Sequence, residues 1–184
     1  QIFETYWIVE YDGQMFIIDQ HAAHEKVLYE KLYARYRSHT PSSQYLEPPL
    51  ILTLSIKEET ALKEHLDSFK ALGFEIEAFG GNDYAVRAVP MELYGFNARD
   101  ILIEMIDQLS SETGRLHDEM IADHLATAAC KAAVKGNHRL SFKEADALID
   151  LLLKADNPYT CPHGRPTIIS MSKYELEKKF KRIQ

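Results

Sequence analysis

Only two cysteines, Cys130 and Cys161, occur in the sequence. That is too few for the disulfide framework of a small secreted domain, so metal ligation or catalysis is their expected use. Glycine and proline are also sparse, 8 and 7 of 184 residues, which excludes collagen-like, fibrous and low-complexity disordered classes. No apolar run approaches the roughly 20 residues of a membrane helix; the longest, such as Tyr6-Trp7-Ile8-Val9 and the stretch from Leu148 to Leu153, are far shorter. No charged-then-apolar leader opens the sequence, and a cytosolic setting is expected. Positive charge is in deficit, with 21 Lys and Arg against 28 Asp and Glu, a net charge of −7. A protein that holds nucleic acid by phosphate contacts alone should be basic, so any function on DNA must account for this acidity. What is present, 46% hydrophobic and 27% charged residues, is the composition of a folded chain of one domain or two small ones.

Tyr6 to Glu10 and Gln14 to Ile18 are rich in β-branched and aromatic residues around Asp12-Gly13, the signature of a hairpin. Both strands are apolar almost throughout, which predicts cover on both faces, by the rest of the fold or by a second copy of the chain. A helical pattern runs from Gln20 to Tyr36 and ends before the loop signature His39-Thr40-Pro41-Ser42-Ser43. Alternation at Leu50, Leu52, Leu54 and Ile56 predicts a strand. Leu62, Leu66, Phe69 and Leu72 predict a helix stopped by Gly73, and Phe74 to Phe79 with Tyr84 to Val89 predict a second hairpin. A helix carrying Leu102, Ile106 and Leu109 follows, then a break at Ser110 to Gly114 and an alanine-rich helix from Leu116 to Val134. Ser141 with Glu144 reads as a capping box for a helix reaching Leu153. Beyond it come the loop Asn157 to Pro166, a short strand Thr167 to Ser170 and a charged helix from near Ser172. The expected fold is α+β: a discontinuous subdomain of residues 1–45 and 115–184, with a strand-helix-hairpin-helix subdomain, 46–114, inserted in it.

Three stretches carry candidate chemistry. In Asp19-Gln20-His21-Ala22-Ala23-His24-Glu25, a helix at 100° per residue puts His21, Glu25, Leu28 and Leu32 on one stripe, the stripe facing the core. Glu30 falls on the opposite face and is assigned a structural role. A carboxylate on the core stripe needs a compensating cation, because an unpaired buried charge costs several kcal/mol. Two other uses stay open: Asp19 capping the helix, and Glu25 favouring the helix dipole. The second stretch, Cys161-Pro162-His163-Gly164-Arg165-Pro166, sets a thiolate and an imidazole on a constrained loop, as zinc requires. The third, Ala129-Cys130-Lys131, puts a thiol among small residues, where a core role is the alternative. Together Asp19, His21, Glu25, Cys130, Cys161 and His163 offer oxygen, nitrogen and sulfur donors enough for two metal ions if Glu25 bridges. A Cys130–Cys161 disulfide is the competing arrangement.

These stretches resemble, in order and nearly over the whole chain, the endonuclease motifs of the C-terminal domain of the MutL family of DNA mismatch repair proteins. The match covers Asp19-Gln20-His21-Ala22-x-x-Glu25-x-x-x-x-Glu30, Ala129-Cys130-Lys131, Cys161 to Pro166 and the closing Phe180-Lys181-Arg182. Lys131 departs from it, standing where the family usually has arginine: the charge is kept, but a lysine does not offer the fork for bidentate phosphate or carboxylate recognition. A further segment, Gln44-Tyr45-Leu46-Glu47-Pro48-Pro49, is similar to the one by which such proteins dock on the replication sliding clamp, with Gln44, Tyr45, Leu46, Pro48 and Pro49 as anchors; an ordinary linker is the other reading.

The resemblance implies a homodimerising, metal-dependent nicking endonuclease that acts on the discontinuous strand of duplex DNA. Asp19, His21 and Glu25 would be its catalytic residues, and Cys130, Cys161 and His163 would complete the metal site, with a structural or regulatory zinc beside a catalytic manganese. Lys131, Lys135, His138, Arg139 and Arg165 become the expected DNA contacts. Implied partners are DNA, a second copy, the clamp, the mismatch recognition protein MutS and the N-terminal ATPase region of the same protein. The implied location is the bacterial cytoplasm at the nucleoid, with no membrane contact. No Gly-x-x-x-x-Gly-Lys phosphate loop is present, so no ATP site is expected in this chain, and no His-Glu-x-x-His supports a general zinc hydrolase. A non-catalytic dimerisation module with a structural zinc is the alternative reading.

Overall fold

A computed structural model of the chain describes residues 1–111, 118–134 and 140–183. It is an α+β protein that divides into two compact units. The first combines residues 1–27 with 137–184, and the second is the continuous stretch 28–136.

In the first unit, β1 (Tyr6–Tyr11) and β2 (Gln14–Asp19) form an antiparallel hairpin, and β6 (Ile168–Ser172) adds to β2, giving the order β1-β2-β6. Asp12 and Gly13 both have positive φ, 50° and 69°, as a two-residue hairpin turn requires to match the strand twist. Trp7, Phe16, Ile18 and Ile168 face inward onto Ala23 and Val27 of α1 (Gln20–Arg37) and Ala145, Leu148 and Leu152 of α6 (Phe142–Leu152). Alternation sends Ile8, Ile17 and Ile169, which are register partners, to the other face. There Ile8 is 41% and Ile169 54% exposed. Among the described residues, the other face thus keeps Ile8 and Ile169 exposed.

The second unit holds the rest of α1, then β3 (Ser43–Thr53), α2 (Ile56–Glu64), α3 (Leu66–Leu72), β4 (Glu75–Gly80), β5 (Asp83–Pro90), α4 (Ala98–Ser111) and α5 (Asp118–Val134). Its antiparallel sheet has the order β3-β5-β4. The α4 side chains Ile101, Leu102, Met105 and Ile106 pack in one core with Leu125, Ala126, Ala129 and Cys130 of α5. Small α5 residues allow close helix approach, and this draws α5 into the second unit.

The units divide at Val27/Leu28 and Gly136/Asn137, whereas the sequence suggested 45/46 and 114/115. The second half of α1 and the whole of α5 fall in the second unit because their apolar stripes are buried there. Strand β3 begins at Ser43, not Leu50. Its Pro48-Pro49 pair is tolerated because the ladder with β5 is interrupted between Tyr45 and Leu50, where no N–H is needed. The expected single helix up to Gly73 is two, parted at His65. Gly73, at φ +103°, ends α3 in the left-handed conformation that favours glycine.

Three helices start with full capping boxes: Ser55 with Glu58, Ser141 with Glu144, and Ser172 with Glu175 ahead of α7 (Lys173–Lys179). The serine hydroxyl and backbone N–H hold each glutamate below its ordinary pKa. A depressed folded-state pKa gives stability that is present above the unfolded pKa and is lost as pH falls through the folded one. Replacing all three by glutamine preserves the box but removes its titration. The triple variant should lose less of its thermal midpoint than the native chain between pH 7 and about pH 3, as followed by circular dichroism.

Candidate metal centre

Helix α1 begins the site. Asp19 ends β2, and its Oδ1 accepts from the backbone N–H of His21 at 2.9 Å and of Ala22 at 3.0 Å, so it caps α1 as one of the two open readings expected. The regular helix then puts His21 and Glu25 four residues apart on one face. Glu25 is 4% exposed, in the core-facing position its spacing predicted.

The loop between Thr160 and Pro166 meets this carboxylate. A backbone bridge joins Thr160 to Pro166. Within it the Gly164 N–H donates to the Cys161 carbonyl, and the Cys161 N–H to the Arg165 carbonyl, each at 2.9 Å. Gly164, at φ +78°, makes the reversal possible. Buried Thr167 donates its N–H to the Tyr159 carbonyl at 3.0 Å and its hydroxyl to the Pro158 carbonyl, while its own carbonyl accepts from the Asp19 N–H at 2.9 Å. That last bond joins the exit of the loop to the cap of α1.

Arg165 supplies the cation that a buried glutamate requires. Its Nη2 donates to Glu25 Oε2 at 2.5 Å, and His163 Nδ1 lies 3.2 Å from the same oxygen. The hydrogen bond to Glu25 raises the pKa of the guanidinium. One ligand atom from each of Glu25, Cys161 and His163 lies within 4.8 Å of the others, and among the described residues this is the one group of three such donors. Cys161 is buried, and the His163 side chain is 25% exposed. Oxygen, sulfur and nitrogen donors in this number fit zinc with one position left for solvent or substrate.

Six donors were expected together, and three are. Asp19 precedes Glu25 by six residues, about 9 Å along a helix axis, and neither it nor His21 belongs to the three-donor group. Cys130 is also outside that group and lies in the core of the second unit. Both cysteines are free thiols, so the disulfide alternative is discarded. Of the residues expected on DNA, Lys131 pairs with Glu104 at 2.9 Å and Arg165 with Glu25; Lys135, His138 and Arg139 lie outside the described residues. The Gln44 to Pro49 segment belongs to β3. Gln44 and Tyr45 pair with Val89 and Ala88, Leu46 is partly buried against the core, and the 62% exposed Tyr45 donates its hydroxyl to Glu75 at 3.0 Å. Sequence reasoning missed the Arg165–Glu25 pair. The signal was available: a core-facing carboxylate in need of a cation, and an arginine two residues beyond His163 on the same constrained loop.

Residues 1–140 match the family model described as the MutL C terminal dimerisation domain. The chain is 51% identical over 183 residues to the DNA mismatch repair protein MutL of Agathobacter rectalis, covering 100% of this chain and 28% of that protein. It is 41% identical over 180 residues to the protein of the same name from Clostridium beijerinckii, covering 98% of this chain and 27% of that one. Over 184 residues it is 41% identical to that of Clostridium botulinum strain Kyoto, covering 100% of this chain and 28% of the relative. The chain thus spans just over a quarter of the length of the curated relatives it matches.

Proposed function

The chain belongs to the MutL C-terminal dimerisation domain family, and we propose that it is the metal-dependent nicking endonuclease domain of a DNA mismatch repair protein, working as a homodimer. The observation that carries this reading is the convergence of Glu25, Cys161 and His163 within 4.8 Å. These three would hold a divalent zinc ion. Asp19 and His21, toward the N-terminal end of the same helix, would be the donors to a second, catalytic manganese ion. Bound divalent ions lower the pKa of water and neutralise charge on a phosphodiester. The chain's own residues do the positioning: the Asp19 cap fixes the start of α1, and the Thr160–Pro166 bridge fixes the loop that presents Cys161 and His163.

No helix among the described residues is long and apolar enough to cross a membrane, which accords with a reading in the bacterial cytoplasm at the nucleoid. DNA would be delivered by the N-terminal ATPase region, MutS and the sliding clamp, since a chain of net charge −7 has little long-range attraction for phosphate.

Asp19→Asn tests catalysis cleanly, because asparagine caps a helix as well as aspartate does while losing the charge. In the full-length protein with manganese and the clamp, nicking of supercoiled plasmid should fall at least about a hundredfold for Asp19→Asn and for Glu25→Lys, on the scale of lost metal-site groups. Equal nicking by native and variant proteins would return the chain to a dimerisation module with a structural zinc.

The row Ile8, Ile17 and Ile169, exposed at Ile8 and Ile169, supports the second copy, because an apolar sheet face of this kind marks an association surface. The double variant Ile8→Glu/Ile169→Glu should sediment as a monomer at concentrations where the native chain is a dimer, since like charges in an apolar contact cost several kcal/mol.

We place clamp binding on the Gln44 to Pro49 segment. Leu46 is packed on the core, so the informative variant is Gln44→Ala/Tyr45→Ser. It should lower clamp affinity by about tenfold or more, as loss of an aromatic anchor does, and leave the thermal midpoint unchanged.

A further inference from the structure

The oxygen of Glu25 that faces Cys161 and His163 is already taken by a cation, the guanidinium of Arg165 at 2.5 Å. The guanidinium thus occupies one of the three donors that a divalent ion would use. Its remaining surface is not buried; the side chain is 53% exposed. A guanidinium carries five donors in a fork that matches a carboxylate or a phosphate equally well. Two cations cannot both neutralise one buried carboxylate at no cost, because like charges a few ångströms apart in a poorly solvated site repel strongly.

We propose that Arg165 is an exchangeable counter-ion: it holds Glu25 until a divalent ion arrives, is then displaced, and turns to a phosphate of the DNA backbone. This rests on the reading of Glu25, Cys161 and His163 as a metal site. It makes Arg165 a substrate-positioning residue whose availability depends on metal loading, so the site gains its phosphate contact only once it holds its ion. Until then the guanidinium is engaged inward, on Glu25.

The test measures zinc affinity of the chain by competition with a chromogenic chelator, for the native protein, Arg165→Gln and Arg165→Lys. Arg165→Gln removes the competitor and should bind zinc about tenfold more tightly, the order by which groups around metal ligands alter affinity. Arg165→Lys keeps the charge without the guanidinium fork that meets a carboxylate and should show a smaller gain; it serves as the measured variant if Arg165→Gln does not fold. A second readout uses a short DNA duplex and no catalysis. Zinc should raise the affinity of the native chain for the duplex, and the salt dependence of the zinc-loaded form should lose about one phosphate contact in Arg165→Gln. Equal or weaker zinc binding by both variants overturns the exchange while leaving the metal site standing. Absence of zinc binding by native and variant chains alike overturns the metal-site reading itself, and the exchange with it.

Discussion

One buried carboxylate organises the first unit. Glu25 lies on the face of α1 that enters the core, 4% exposed, and an ionised group there is tolerated only with a partner of opposite charge and with its lone pairs occupied. The loop Thr160–Pro166 meets both needs through Arg165 and His163. Its backbone is closed by a bridge and a glycine-dependent turn, and its exit is bonded to the cap of α1. Helix cap, buried carboxylate and loop are therefore one mechanical assembly, with the ion pair at its centre. Evolutionary economy is not needed to explain why a buried glutamate is kept: on the proposed reading, the same desolvation that makes it costly makes it a strong ligand for a divalent ion.

The deficit of positive charge takes on a local meaning. Some of the basic charge is engaged by acidic neighbours, in Lys131–Glu104, Arg35–Glu92, Arg87–Glu77 and Arg165–Glu25. Such pairs further reduce the positive field that the net charge of −7 already leaves for a phosphate backbone. An acidic chain that acts on DNA must then gain positive charge from outside itself, from bound ions and from the remainder of a longer protein. The proposed metal site and the length of the relatives, nearly four times that of the chain they match, agree with that requirement.

Local signals were read well wherever the physics was local. Asp12-Gly13 marked the hairpin turn, Ser141 and Glu144 marked a helix start, and Gly73 marked a helix end, because each depends on φ preferences or hydrogen bonds spanning a few residues. The misreadings arose where tertiary context overrode the local pattern. Pro48-Pro49 argues against a strand, yet β3 runs through it because a bulge removes the need for ladder donors there. The apolar stripe of α5 suits burial against either unit, and only packing on α4 assigned it to the second. The strands of the hairpin were read as covered on both faces, by the rest of the fold or by a second copy, whereas Ile8 and Ile169 on one face are exposed.

By itself the sequence determined which residues could ligate, which helix face would carry Glu25, and that this position would require a cation. It also determined the family, through motifs spread along the chain. Which donors actually meet was decided by tertiary structure alone. Glu25 is 138 residues from His163 and 140 from Arg165, and no periodicity spans such a distance. Of six donors suggested by the motifs, three meet in one group, and an arginine assigned to phosphate was found on the carboxylate, because spatial neighbours across so long a loop are set by how the sheet and α6 pack, not by spacing.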